Sequence, residues 1–143
     1  MSPEGRTVSD EELAEQAMKA RRNAYVPYSH HSVGAALLTA EGKIYLGCNI
    51  ENAAYTPTVC AERTAFFKAV SEGERSFTAI AINGGLEGGE PHYCAPCGVC
   101  RQVMREFCDP KKFRVILVKS ETEIKCYTLE ELLPLGFGPE DLV

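Results

Sequence analysis

Val59-Cys60-Ala61-Glu62-Arg63-Thr64-Ala65-Phe66-Phe67-Lys68-Ala69-Val70, residues 59–70, is the stretch on which the architecture turns. Ala65, Phe66, Ala69 and Val70 recur at helical spacing and Gly73 supplies a stop, so a helix is predicted over 59–72. Runs of strand character lie on either side. Val33-Gly34-Ala35-Ala36-Leu37-Leu38-Thr39 and Lys43-Ile44-Tyr45-Leu46-Gly47-Cys48-Asn49 flank a Glu41-Gly42 turn and read as a hairpin, and Phe77-Thr78-Ala79-Ile80-Ala81-Ile82-Asn83 reads as a third strand. A helix between two strands is a crossover, the connection that parallel pairing requires.

Working outward, Ser9 and Glu12 make a capping box, and Leu13, Ala14, Ala17, Met18 and Ala24 continue at helical spacing, predicting a helix over 9–25 that stops before Pro27. Residues 50–58 lack periodicity and read as a loop that carries side chains from a strand end toward the next helix. Residues 84–95, with four glycines and Pro91, form the longest irregular segment. Pro96 suits the entrance of a helix bearing Cys97, Cys100, Val103, Met104 and Phe107. A fourth strand is predicted over 113–118, a weaker fifth over 124–127, and a short helix over 128–134 that Thr128 caps with Glu131 at its third position. The order α-β-β-α-β-α-β-β-α implies an α/β fold, a mixed sheet with helices packed on its faces.

The 143 residues, 45% of them hydrophobic, suffice for one domain with a real core and leave no room for a second, so 1–143 reads as a single unit with 1–8 as a flexible N-terminus. Fifteen Lys and Arg against 20 Asp and Glu give a formal charge of -5, which argues against a nucleic-acid backbone as partner. Six Tyr and six Phe make no stacking stripe for a single strand. The N-terminus shows no basic segment before an apolar run, and no stretch approaches the roughly 18 apolar residues of a membrane span, so a cytoplasmic protein is expected. Seven cysteines without a secretion signal point to reduced thiols and metal in place of a disulfide framework.

The chemistry concentrates where two helices begin. In α/β layouts, helices following strands start at the carboxyl ends of the strands, where ligand sites gather. Cys60 lies at one such start, Cys97 at the next with Cys100 three residues on, and the unpaired N–H groups of helix starts favour thiolate over thiol. Three thiolates hold a zinc and leave its fourth position open, the layout that activates a water, and Glu62 stands beside them to move the proton. Zinc with three thiolates carries excess negative charge, for which Arg63 is the candidate donor. A structural zinc using Cys48 or Cys94 as fourth ligand is the competing reading. A thiol redox pair would not call for Cys60-Ala61-Glu62. The Cys94, Cys97, Cys100 spacing of an iron–sulfur loop wants Cys-Pro where Met104 and Arg105 stand.

Cys60-Ala61-Glu62 with Pro96-Cys97-Gly98-Val99-Cys100 resembles the zinc deaminase signature. More narrowly, Pro27-Tyr28-Ser29, Val33-Gly34-Ala35-Ala36-Leu37, Gly47-Cys48-Asn49-Ile50-Glu51-Asn52-Ala53, Cys60-Ala61-Glu62-Arg63-Thr64-Ala65, Cys100-Arg101-Gln102-Val103 and Glu131-Leu132-Leu133-Pro134 resemble the small homotetrameric cytidine deaminases over 13–142. The resemblance implies a three-layer α-β-α fold around a five-stranded mixed sheet. It implies one zinc (Zn2+) per subunit on Cys60, Cys97 and Cys100, proton transfer by Glu62, ribose contacts from Asn49 and Glu51, and a backbone N–H of Ala61 for the pyrimidine carbonyl. It further implies that Tyr55 and Phe137 come from neighbouring subunits to complete the pocket of a homotetramer, with a nucleoside as the small-molecule substrate and pyrimidine salvage as the setting.

From the residues alone, Asn49 and Glu51 read as turn caps, Tyr55 and Phe137 as packing aromatics, and Arg101 as making an interface or structural ion pair. His30 and His31, neighbours on opposite sides of the chain, read as solvated or packed, and His92 as exposed. His31 stands where the family usually has a phenylalanine near the base, Ala95 replaces a common serine, and 56–59 also departs from the pattern. Those departures leave open a deaminase of a modified cytosine nucleoside of blasticidin type, and a zinc-stabilised interaction module without catalysis is the reading from a different class.

Overall fold

Alternate residues of the three central strands face opposite ways, and the two faces bury different partners. The computed structural model describes residues 7–142. In order, its elements are α1 (Asp10–Ala20), β1 (His31–Thr39), β2 (Ile44–Cys48), α2 (Ala61–Ser71), β3 (Phe77–Leu86), α3 (Gly98–Phe107), β4 (Arg114–Ser120), β5 (Glu123–Thr128) and α4 (Leu129–Leu132). The sheet order is β2-β1-β3-β4-β5, with β3 and β4 parallel and every other neighbouring pair antiparallel. Ala35 and Leu37 of β1, Ile80 and Ile82 of β3, and Val115 and Leu117 of β4 share a core with Ala61, Ala65, Phe66 and Ala69 of α2 and Met104 of α3. Ala36, Ala79, Ala81, Ile116 and Val118, one register over, pack on Leu13, Ala14 and Ala17 of α1. Helices thus cover both faces of a five-stranded mixed sheet, as the sequence predicts.

Phe66 locks the site-bearing side. Its ring lies 5.1 Å from Phe77, 6.2 Å from Phe107 and 6.1 Å from Phe113, so one residue of α2 is held by β3, α3 and the entry to β4. Gly47 brings the start of α2 onto the sheet: a Cβ there would stand 2.3 Å from the Ala61 carbonyl oxygen and 2.6 Å from the Ala65 nitrogen. Gly47→Ala must therefore lift the first turn of α2, with Cys60 and Glu62, off β2. We expect a stability loss of about 1–3 kcal/mol together with weakened metal retention, read by thermal melts and elemental analysis. A variant that melts like wild type and keeps its metal would show that this close approach does not position the site.

Several boundaries differ from expectation for tertiary reasons. The helix predicted to reach Tyr25 ends at Ala20 and continues as a 3₁₀ turn over Arg21–Asn23. Tyr25 instead bridges to Ile50, its N–H donating to the Asn49 carbonyl and its carbonyl accepting from the Glu51 N–H, so the chain leaves the helix to pair with the loop beside the site. β3 extends through Gly84 and Gly85 to Leu86 because β1 begins at His31 and offers three more partners. The irregular segment is correspondingly displaced to 87–97. The predicted flexible stretch 1–8 falls mostly outside the described residues, and Val8 packs against the α1-side core. The tail folds into a 3₁₀ turn over Pro139–Leu142. Among the described residues no helix is long and apolar enough to cross a membrane.

Candidate active site

Cys60 is the residue that caps α2 and Cys97 the one that caps α3, each with extended backbone before the first helical residue. The two helices follow β2 and β3, so both starts fall at carboxyl ends of strands. The Cys97 Sγ accepts from the Cys100 N–H at 3.5 Å, placing a thiol where a helix offers its unpaired donors. Cys60 Sγ and Cys97 Sγ are 3.8 Å apart, Cys97 Sγ and Cys100 Sγ 3.5 Å, and all three sulfurs lie within 4.8 Å of one another. Tetrahedral zinc with Zn–S bonds of ~2.3 Å separates its sulfurs by ~3.8 Å, so the donor set fits this ion in kind and in spacing. Neither Cys48 nor Cys94 belongs to the cluster; among the described residues it has three members, and one tetrahedral position is left over.

Arg63 lies against the cluster. Its Nη2 donates to Cys60 Sγ at 3.3 Å, while its buried Nε has no hydrogen-bond partner. A half-buried guanidinium so placed, with its Nε shielded from solvent, matches a site meant to accumulate negative charge. Hydrogen bonding from Cys100, then from Arg63, holds the Cys60 thiol down to about 5, against the opposing effect of burial. Cys100 is pushed up as the donor to Cys60 and by its own burial, so the thiols share protons, and an arriving cation would displace them. Arg63→Ala should cost 10- to 100-fold in zinc affinity, measured by competition with a chromophoric chelator. Unchanged affinity would mean that Arg63 does not offset the thiolate charge.

Glu62, in the first turn of α2, is only 5% exposed. Burial pushes its carboxyl up to about 7, and the nearby Cys60 charge adds to the rise, while its own backbone N–H and Arg63 oppose it. Burial is also the main reason the Cys94 thiol is raised, with the Glu62 and Cys60 charges contributing, so Cys94 borders the site without joining the cluster. Its sulfur lies 3.2 Å from where a Gly84 Cβ would stand, beside Val33 Cγ2 at 3.1 Å. The sequence offered Cys94 as a fourth ligand of a structural zinc, and the structure sets it outside the three-thiol cluster.

Asn49 and Glu51 flank Ile50, which pairs with Val59 in both directions at 3.0 Å, immediately before Cys60. Both are already engaged. Asn49 Oδ1 accepts from the Val33 N–H and its Nδ2 donates to the His31 carbonyl, each at 2.9 Å, which extends the pairing of β1 with β2 by one side chain. Glu51 accepts from the Tyr28 and Ser29 N–H groups at 3.0 and 3.1 Å and from the Ser29 hydroxyl at 2.5 Å, and these bonds hold its carboxyl below the usual range. Glu51 thus caps the turn at 28–29, while Asn49 extends a strand pair and caps no turn. Each keeps capacity: the Asn49 amide has a second N–H and a second lone pair, and Glu51 Oε2 can accept again.

Tyr55 and Phe137 stand in solvent, 76% and 57% exposed. Tyr55 takes a positive φ of 63°, which fixes its direction at the tip of the loop after β2. Among the described residues Arg101 makes no ion pair; its Nε donates to the Pro96 carbonyl at 2.7 Å and its Nη1 to the Leu132 carbonyl at 2.6 Å, bracing the start of α3 against α4.

The chain belongs to the cytidine and deoxycytidylate deaminase family, whose zinc-binding region model matches residues 7–117. It is 53% identical over 132 residues to a cytidine deaminase of Sporosarcina psychrophila, an alignment covering 92% of this chain and 93% of that one. Against a cytidine deaminase of Halalkalibacterium halodurans it is 49% identical over 130 residues, covering 91% and 95%. The crystal structure of a cytidine deaminase from Burkholderia pseudomallei superposes with a TM-score of 0.82 at 43% identity, covering 91% of this chain and all of that one. Zinc is the metal for which the three-thiol cluster is suited on both counts.

Proposed function

We propose that this chain is a zinc-dependent hydrolase that converts cytidine and deoxycytidine, with water, into uridine or deoxyuridine and ammonia. The observation that carries the reading is a three-thiol cluster with one coordination position to spare, set beside a carboxyl group buried to 5% exposure. A structural zinc needs a fourth ligand and has no use for a buried acid next to it.

Zinc on Cys60, Cys97 and Cys100 supplies the Lewis acidity that makes a water acidic enough to give up a proton near neutral pH. Glu62 accepts that proton and delivers it to N3 of the cytosine ring as the water oxygen bonds to C4, which keeps charge from building on the ring. Glu62 then transfers the second proton of the oxygen to the exocyclic amino group; the C4–N bond breaks, ammonia leaves, and a C4 carbonyl remains. The Ala61 N–H stands at the first position of α2, where no intrahelical acceptor exists, which supports its role as donor to the pyrimidine carbonyl. Asn49 and Glu51 offer their remaining hydrogen-bonding positions to the ribose hydroxyls. Because the chain's own loops already hold both side chains, little rotamer freedom is lost on binding.

Tyr55 and Phe137 are exposed, as are Tyr25, Ile50, Val99 and Leu135, and exposed apolar side chains of this kind suit contact with other copies of the chain. A homotetramer in which these aromatics complete neighbouring pockets fits that exposure, and residues 1–143 would act as one domain in it. Seven unpaired cysteines support a cytoplasmic setting, and a nucleoside substrate fits a place in pyrimidine salvage. The test is loss of cytidine absorbance in the ultraviolet on incubation with zinc-loaded protein, run beside deoxycytidine and a modified cytosine nucleoside. No change with any of the three would defeat the enzymatic reading, and turnover of the modified nucleoside alone would reassign the substrate.

A further inference from the structure

All three histidines of the chain gather at one corner, and two of them face each other. The His31 ring, at the start of β1, and the His92 ring, in the 87–97 segment, have centroids 5.6 Å apart at 65°. Strand alternation puts His31 with Val33, Ala35 and Leu37 on the sheet face that α2 and α3 cover. His92 is held by its N–H donating to the Gly84 carbonyl at 3.1 Å, and the chain from there passes through Cys94 to Cys97. The His31 backbone is pinned on both sides, its N–H donating to Ser29 Oγ at 3.0 Å and its carbonyl accepting from Asn49. The two rings thus come from the two segments that border the candidate site, one bearing Asn49's partner and the other leading to the thiols.

Two imidazoles bound to one tetrahedral ion at ~2.1 Å hold their ring centroids ~5 Å apart, close to the spacing seen here. We infer that His31 and His92 form a second transition-metal site at the rim of the candidate pocket, with water in the remaining positions. Imidazole donors select borderline ions such as nickel, copper and zinc. With two neutral ligands against three thiolates, the rim site is the weaker of the two and fills only after the cysteine cluster. An ion there would narrow the approach to the thiols, so excess metal would inhibit. That last step rests on the deaminase reading; the binding itself does not. His30, the third histidine, is turned away toward Glu87, its Nδ1 3.8 Å from the carboxylate.

The test uses protein already loaded with zinc and adds nickel chloride, reading nickel bound by equilibrium dialysis and zinc retained by elemental analysis. The expected result is one nickel per chain with zinc kept, at least tenfold weaker nickel binding in His92→Gln, and unchanged binding in His30→Asn, which tolerates the positive φ of 58° at that position. Nickel should slow cytidine turnover in wild type and not in His92→Gln. Absence of nickel binding, or binding that His92→Gln leaves intact, would overturn the site; binding with no loss of turnover would overturn its place at the rim. Because dialysis does not use the reaction, failure of the site and failure of the deaminase reading are told apart.

Discussion

Glu62→Gln should give a folded, zinc-loaded chain whose turnover of cytidine is lowered by about 10²- to 10⁴-fold. Glutamine keeps the size and most of the hydrogen-bonding shape of the side chain but can neither take a proton from water nor return it to the leaving amine. The position is 5% exposed, so bulk water does not substitute for the lost group. A second, independent effect follows from linkage. The folded-state carboxyl is raised from 4.5 to about 7, so between those values the metal-free native state binds more protons than the unfolded chain, and Glu62 makes stability fall as pH rises. Metal-free Glu62→Gln should therefore melt above metal-free wild type at pH 7–8, with the two curves meeting near pH 4.5. A cation among the thiols stabilises the carboxylate and shrinks the gap in the loaded protein. Turnover within tenfold of wild type at full zinc content would remove Glu62 from the reaction.

Cys97→Ala should abolish activity by abolishing the metal site, while Cys94→Ala keeps it. With Cys97 gone, two sulfurs and no third donor remain among the described residues, and zinc content should fall to background after dialysis against a mild chelator. Cys94 borders Glu62 and Cys60 closely enough to feel their charges but lies outside the cluster, so its removal tests the four-cysteine structural reading directly. Elemental analysis of the two variants decides between them. Zinc retained in Cys97→Ala, or lost in Cys94→Ala, would mean that the ligands are assigned wrongly.

The hairpin, the two crossovers and the helix starts bearing Cys60 and Cys97 were legible because each rests on local signals: periodicity, a turn, a cap. Boundaries set by distant partners were not. Nothing near Tyr25 announces that it will leave its helix to bridge Ile50, and nothing in Gly84-Gly85 shows that β1 will reach back to pair with them. At the site, the thiols and the acid could be read from residue type and spacing, since few other arrangements need those groups together. Asn49 and Glu51 were readable only as alternatives, because one side chain can both brace a loop and present a spare donor or acceptor, and only coordinates show the bonds already made. The meeting of His31 with His92, 61 positions apart in the chain, depends wholly on the register of β1 with β3.

The thiols of the two helix starts are 37 residues apart in the chain, one at the end of each crossover's opening segment. Zinc held between Cys60 and Cys97 would thus be a cross-link as well as a reagent, tying together a segment that includes all of α2 and β3 only while the metal is bound. Ligation of the folded state alone makes apparent stability a function of free metal concentration. The melting temperature of this protein would then report the zinc buffer around it, and a cell short of zinc would hold a less stable chain as well as an inactive one.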